Sequence, residues 1–366
     1  MPPVYNGRME RTADDMQALA ERIRVWAGEL GFTGVGIADP DLRQDEYWLL
    51  RWLRRGWQGT MGWMGRHGVK RSRPQRLLPG TGRIISVRLD YQPAGAEPWS
   101  VLADGRKAYV ARYALGRDYH KLMRQRLQKL ARRIETEVGP YGYRAFVDSA
   151  PVLEKAVGRE ADLGWIGKHT LLMDRDASSW FFLGELFTDL PLPADPPRRR
   201  GHCGRCRACI DVCPTGAIVG PYQLDARLCI SYLTIEHDGP IPEPLRPLMG
   251  NRVFGCDDCQ LICPWNKFAR PTAEGDFQPR HNLDHADLVE LFGWTESQFL
   301  DRMAGSAIRR LGHERWLRNL AVALGNGPAS AEAVAALEAR QEHPSALVRE
   351  HVAWALRRLT EPGNAE

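Results

Sequence analysis

Residues 203–214 read CGRCRACIDVCP. The spacing is Cys203-x2-Cys206-x2-Cys209-x3-Cys213-Pro214. The short x2 loops wrap three thiolates around one face of an iron–sulfur cube, and the chain then crosses over to give its fourth cysteine to a second cube. A second run, Cys256-x2-Cys259-x3-Cys263-Pro264, lacks its first cysteine, and Val253 stands in that place. Cys229 is the one spare thiol between the runs and fills the gap. By elimination, one [4Fe–4S] cluster takes Cys203, Cys206, Cys209 and Cys263, and the other takes Cys213, Cys229, Cys256 and Cys259. That uses all eight cysteines of the chain. Zinc would call for paired C-x2-C knuckles across a longer loop. Disulfides do not suit the reducing compartment that the N-terminus points to.

The 366 residues allow two or three domains, and 43% hydrophobic residues allow a sizeable core. No stretch has the roughly 18 apolar residues of a membrane helix. The N-terminal MPPVYNGRMERTADD has no apolar core, so no secretory signal is expected and the cytoplasm is. The net charge of +5 is only mildly basic. The arginines do cluster, at Arg198, Arg199 and Arg200 and again at Arg309, Arg310, Arg315 and Arg318.

Outward from the cysteines, PLPADPPRRR (191–200) reads as a linker. Upstream, helices are expected over 13–30, capped by Thr12 and Gly31, and over 118–139. Strands are expected at GFTGVGIADP (31–40), RIISVRLDY (83–91) and YRAFVD (143–148), with Ser149 capping a further helix that starts near Pro151. Strands alternating with helices argue for an α/β (α+β) domain, with Asp148 at a strand tip. The tryptophans Trp48, Trp52, Trp57 and Trp63 read as core rather than as a lid. Downstream of about 285, Ala321-Val322-Ala323-Leu324 recurs as Ala353-Trp354-Ala355-Leu356, a period of 32 residues that suggests a HEAT-like repeat. The expected division is 1–195, 196–284 and 285–366. No G-x-G-x-x-G follows a strand and no P-loop is present, so nicotinamide and triphosphate chemistry are not indicated.

Several segments together resemble the epoxyqueuosine reductases, cobalamin-dependent enzymes of tRNA queuosine synthesis. They are RYALGRDYHKLMR (112–124), FVDSAPVLEK (146–155), GWIGKHTLL (164–172), SWFFLGEL (179–186), CISYLTIE (229–236) and the helical tail. The resemblance implies an α/β cobalamin-binding domain, an inserted two-[4Fe–4S] ferredoxin-like domain and the repeat tail. It implies Asp148 as proton donor to the departing epoxide oxygen. It also implies a corrin pocket lined by the segments of Ala111, Arg112, Tyr113, His120, Lys168, Met173 and Gly184. Asp118-x-His120 is followed by Met123 where a cobalt-ligating D-x-H-x-x-G signature needs glycine, so no histidine on cobalt is expected. The partners implied are tRNA carrying epoxyqueuosine, gripped by Arg309, Arg310, Arg315 and Arg318, and an external low-potential electron donor, with no membrane. Two other readings stay open on the sequence: a cobalamin and iron–sulfur reductase of a small molecule, and a non-enzymatic dicluster electron carrier.

Overall fold

The structure is a computed structural model, and it describes residues 4–5, 8–9, 12–198 and 201–360. Helix α1 (Ala13–Glu29) starts at a capping box, in which Thr12 and Asp15 each satisfy the other's backbone N–H. Its apolar stripe of Met16, Leu19, Ala20, Ile23 and Ala27 is buried. The centre of the upstream region is a four-stranded sheet of β1 (Gly34–Ala38), β2 (Arg83–Asp90), β4 (Tyr143–Phe146) and β5 (Phe181–Thr188), in the order β1-β2-β5-β4. Every pairing is antiparallel. The domain is therefore α+β, and Asp148 lies just beyond the end of β4. Sequence periodicity reports which side of a strand is buried, not which way its neighbour runs.

Helix α1 and helix α3 (Tyr119–Val138) cover one face of the sheet. Helix α4 (Glu154–Glu160) covers the other. Gly36 on β1 lets α4 come close, because a Cβ there would lie 1.8 Å from the Ala161 carbonyl oxygen. Helix α4 begins four residues later than it would with Ser149 as its cap, and its first turn has no side-chain cap. The chain turns instead through Ser149 N–H to Val147 O and Val152 N–H to Ala150 O. Those turns leave residues 147–153 as a loop, with Asp148 at φ +49°.

Strand β3 (Tyr109–Val110) pairs in parallel with β6 (Arg252–Phe254), so the upstream region is tied directly to the cysteine segment. The cysteine segment in turn shares one core with the C-terminal helices α5 (His313–Asn326), α6 (Ala331–Glu338) and α7 (Ala346–Thr360). Residues as distant as Ala108, Leu233, Phe254, Trp316 and Ala355 belong to that core. The two Ala-rich copies lie on α5 and α7, which approach closely enough that a Cβ on Gly325 would meet Ala355 Cα at 2.8 Å. Among the described residues no helix is long and apolar enough to cross a membrane.

The tryptophan-rich segment does not form the core expected of it. Trp52 and Trp57 are half-buried, whereas Trp48 and Trp63 are 51% and 42% exposed. Helix α2 (Arg43–Arg54) buries only Leu49 fully; Trp52 packs partly against the core of the cysteine segment, while Tyr47 and Trp48 stay exposed. Arg198 pairs with Asp162 at 2.7 Å, and Arg199 and Arg200 lie outside the described residues.

Candidate active site and cluster centres

The cysteines fall into two groups. Cys203, Cys206, Cys209 and Cys263 line one cavity of about 360 Å³, with Lys168, His169, Met173 and Trp265 around it. Burial pushes the Cys209 thiol up to about 11, and Cys203, Cys263 and Cys206 push it further in the same direction. Cys259 is raised by burial and then by its neighbours Cys229, Asp257 and Cys213. Thiols gathered in fours form a donor set that suits a cationic centre. Two cubes of iron and sulfide fit these two groups of four. Lys168 braces the first of them by donating to the carbonyls of Gly204 and Cys206, at 2.7 and 2.8 Å.

The second group is wired to a different cleft. The Ala111 N–H donates to Phe254 O, and the Arg112 N–H donates to the Asp257 carboxylate at 2.7 Å. Tyr109 donates its hydroxyl to that same carboxylate, next to Cys256. Arg112 spends its guanidinium on the carbonyls of Pro93 and Ala96, leaving Nε without a partner. From there a ladder of rings runs outward. Tyr113 lies 6.2 Å from Phe254 and 6.5 Å from Phe182; Phe182 stacks on Tyr119 at 3.7 Å, and Tyr119 on His120 at 4.3 Å.

His120 stands between two carboxylates. Its Nδ1 is 2.5 Å from Asp118 Oδ1 and its Nε2 is 3.0 Å from Asp148 Oδ2. Asp118 also caps helix α3 by accepting from the His120 N–H. Burial opposes the charged imidazole, but Asp118 and then Asp148 outweigh it and raise its pKa to about 9. Burial likewise pulls the Asp148 carboxyl upward, yet His120 and Arg310 hold it below its ordinary value. At neutral pH the pair therefore carries one proton, and it rests on the ring. Asp118, His120, Lys121 and Arg124 line an open cleft of about 480 Å³.

Behind Asp148 lie two more acids. Glu154 accepts from the Asp148 N–H at 2.5 Å, which anchors the loop. Burial, and then the Asp148 charge, push Glu154 up to about 8. Glu185 is fully buried in β5 and sits well above its ordinary value, through burial and then Glu154. Sequence reasoning passed over Glu185 and Asp257. The signal was available in both cases: an acid inside the apolar strand FFLGELFT, and an acid between two cysteines.

Tyr113, His120 and Asp148 thus come together with Arg310, while Lys168 and Met173 line the cavity of the first cysteine group. Gly184 joins neither set. It is packed in the sheet, where a Cβ would meet Leu127 Cδ1 at 3.0 Å and Met123 Cε at 3.1 Å. Of the four tail arginines assigned to RNA, Arg318 is corrected. Arg318 is fully buried and donates to the carbonyls of His237, Gly239 and Leu233 and to Asn319. Arg315 donates to the carbonyls of Leu311, Ile235 and Arg310. Arg318 falls on the inner side of α5 and Arg315 is half-buried beside it, which the run of arginines alone does not reveal. Arg309 and Arg310 are exposed. Burial works against the Arg310 charge, but Tyr113, Glu236 and Asp148 around it raise its pKa.

An α+β domain with a His120–Asp148 acid–base pair at an open cleft, coupled through one strand pairing to a double set of cluster cysteines, defines an iron–sulfur oxidoreductase. Residues 202–266 match the 4Fe-4S double cluster binding domain, and residues 71–149 match the family described as Epoxyqueuosine reductase QueG, DUF1730. The chain is 64% identical over 344 residues to the epoxyqueuosine reductase of Pseudomonas aeruginosa, covering 94% of this chain and 95% of that one. It is 56% identical over 352 residues to the Escherichia coli enzyme, covering 96% and 92%. Among solved structures, epoxyqueuosine reductase with an epoxyqueuosine-modified tRNA-Tyr stem loop superposes with a TM-score of 0.87 at 27% identity, over 95% of this chain and 92% of that one. The chain belongs to the epoxyqueuosine reductase family.

Proposed function

We propose that this chain acts in the cytoplasm to reduce epoxyqueuosine to queuosine in the anticodon loop of tRNA, using two [4Fe–4S] clusters and cobalamin. The observation that carries the reading is the continuous connection from the Cys256 loop, through residues 109–120, to the His120–Asp148 pair. The solved relative bound to a modified tRNA stem loop supports the substrate class. A Bacillus subtilis relative whose catalytic aspartate loop is swung out of the active site supports a mobile role for the 147–153 loop.

The cluster ligands are Cys203, Cys206, Cys209 and Cys263 for one cube and Cys213, Cys229, Cys256 and Cys259 for the other. The proposed cobalamin contacts are the segments around Ala111, Arg112, Tyr113, His120, Lys168 and Met173. Arg112 Nε, a buried donor without a partner among the described residues, suits a corrin edged with amides. When bound, the clusters and cobalamin supply the two reducing electrons, drawn from an external low-potential donor. Removal of the epoxide oxygen as water also consumes two protons. Asp148 takes the proton of the His120 imidazolium, 3.0 Å away, and passes it to that oxygen. Asp118 keeps the ring charged and oriented, while Glu154 holds the loop backbone. Residues 1–195 carry the cobalamin side, 196–284 the clusters, and 285–366 a HEAT-like repeat whose exposed Arg309 and Arg310 face the tRNA.

The decisive experiment is anaerobic reconstitution and assay on epoxyqueuosine-containing RNA, with and without cobalamin. Cobalamin-dependent conversion to queuosine is expected. Conversion without cobalamin, or turnover confined to small molecules, overturns the reading.

A further inference from the structure

Helix α2 and the turns after it expose rings and cations that the reduction of the epoxide leaves unused. Tyr47, Trp48 and Trp63 are 56%, 51% and 42% exposed. Arg51 lies 5.6 Å over the Trp48 ring, and Arg55 lies 4.5 Å over Trp57. The acids of this segment are already occupied. Asp41 pairs with Arg43, Asp45 with Arg159, and Glu46 with Arg73 and Ser72. Arg51, Arg54, Arg66 and Lys70 are all exposed, and among the described residues none has a carboxylate within ion-pair distance.

One end of this surface meets the catalytic loop. Buried Arg71 donates to the Trp63 carbonyl at 3.4 Å and to the Val152 carbonyl at 3.5 Å, and its guanidinium lies 5.4 Å from the Trp63 ring. Val152 belongs to the 147–153 loop that presents Asp148. The segment is also held firmly from behind, where the Thr60 N–H donates to Tyr232 and Trp52 Nε1 donates to Leu224 O. A rigid exposed surface therefore begins beside the place where the reacting nucleotide must sit.

Flat rings interleaved with unpaired guanidiniums match unpaired bases and their phosphates. Each base stacked on an aromatic ring contributes about 1–3 kcal/mol, with little regard to sequence. Guanidiniums bind phosphate oxygens in pairs. A lipid surface would also accept these side chains, but a membrane laid on Trp63 would cover the approach to Asp148. We propose that residues 47–70 are an RNA-docking surface, on which unpaired bases next to the modified nucleotide stack on Trp48 and Trp63 while Arg51, Arg54, Arg66 and Lys70 meet the phosphates. This rests on the tRNA reading and adds the surface that presents the loop to Asp148.

The test measures affinity of the full holoenzyme for a fluorescent anticodon stem loop across a salt series. Trp48→Ala and the pair Arg51→Glu with Arg54→Glu all change exposed side chains, and iron content and circular dichroism report that the fold is kept. Trp48→Ala is expected to weaken binding about 5- to 150-fold, which is the stacking energy expressed as a ratio. The arginine pair is expected to flatten the salt dependence by about 0.7–0.9 for each phosphate it no longer neutralises. Wild-type affinity and slope in all these variants would overturn the surface while leaving the tRNA reading intact. So would variants that lose binding only to anionic vesicles. A wild-type chain that fails to bind the stem loop would sink the tRNA reading itself.

Discussion

Asp148→Asn is the sharpest perturbation of the active site, because nearly everything except the acid survives it. Asn tolerates the left-handed backbone at φ +49° as readily as Asp does. Its N–H can still donate to Glu154, and its side-chain oxygen can still accept from His120 Nε2. Ground-state binding of RNA should therefore change little. The variant cannot take the His120 proton and pass it to the departing oxygen, a loss of about 10²–10⁴ in rate. At 1.36 kcal/mol per decade that is roughly 3–5 kcal/mol of transition-state stabilisation. The assay is single-turnover conversion at saturating RNA, with affinity measured alongside; kcat should fall and KM stay close to wild type. Near wild-type conversion would refute the role. A second readout comes from His120, whose folded pKa of about 9 stands above its ordinary 6.5. The stability it contributes is fully present below pH 6.5 and is lost as pH rises through about 9. Removing one of its two carboxylates lowers the folded pKa. The fall in Tm across that window should then be smaller in Asp148→Asn than in the wild type.

Asp118→Asn removes the other carboxylate on His120, so the alkaline limb of the pH–rate profile should move to lower pH; an unmoved limb would exclude His120 as the group titrating there. Cys229→Ala should reduce reconstituted iron from about eight to about four atoms per chain, and a full complement with an unchanged paramagnetic spectrum would show that Cys229 is no ligand. Arg318→Ala should cost about 3–5 kcal/mol, because it strands the buried carbonyls of Leu233, His237 and Gly239; Arg310→Ala should leave thermal stability unchanged while weakening RNA binding. If Arg318→Ala kept the wild-type Tm and lost only RNA affinity, the structural role assigned to Arg318 would be wrong.

Much of the double-cluster reading was legible in the cysteine spacing, because ligand spacing within a run is a local, covalent property. The same holds for helix α1, whose Thr12 cap and buried stripe depend on residues within a few positions of each other. Antiparallel pairing of β2 with β5 and the burial of Arg318 are of another kind. Each depends on a partner far along the chain: residues 83–90 meet 181–188, and Arg318 meets carbonyls about eighty residues upstream. A run of arginines reads alike whether its guanidiniums face solvent or a set of carbonyls. Asp148 could be singled out in the sequence as a residue at the end of a strand. Only the tertiary structure set it on a left-handed turn, placed His120 from another helix against it and put Glu154 behind it, since those neighbours are brought by the packing of α3 and α4 on opposite faces of one sheet.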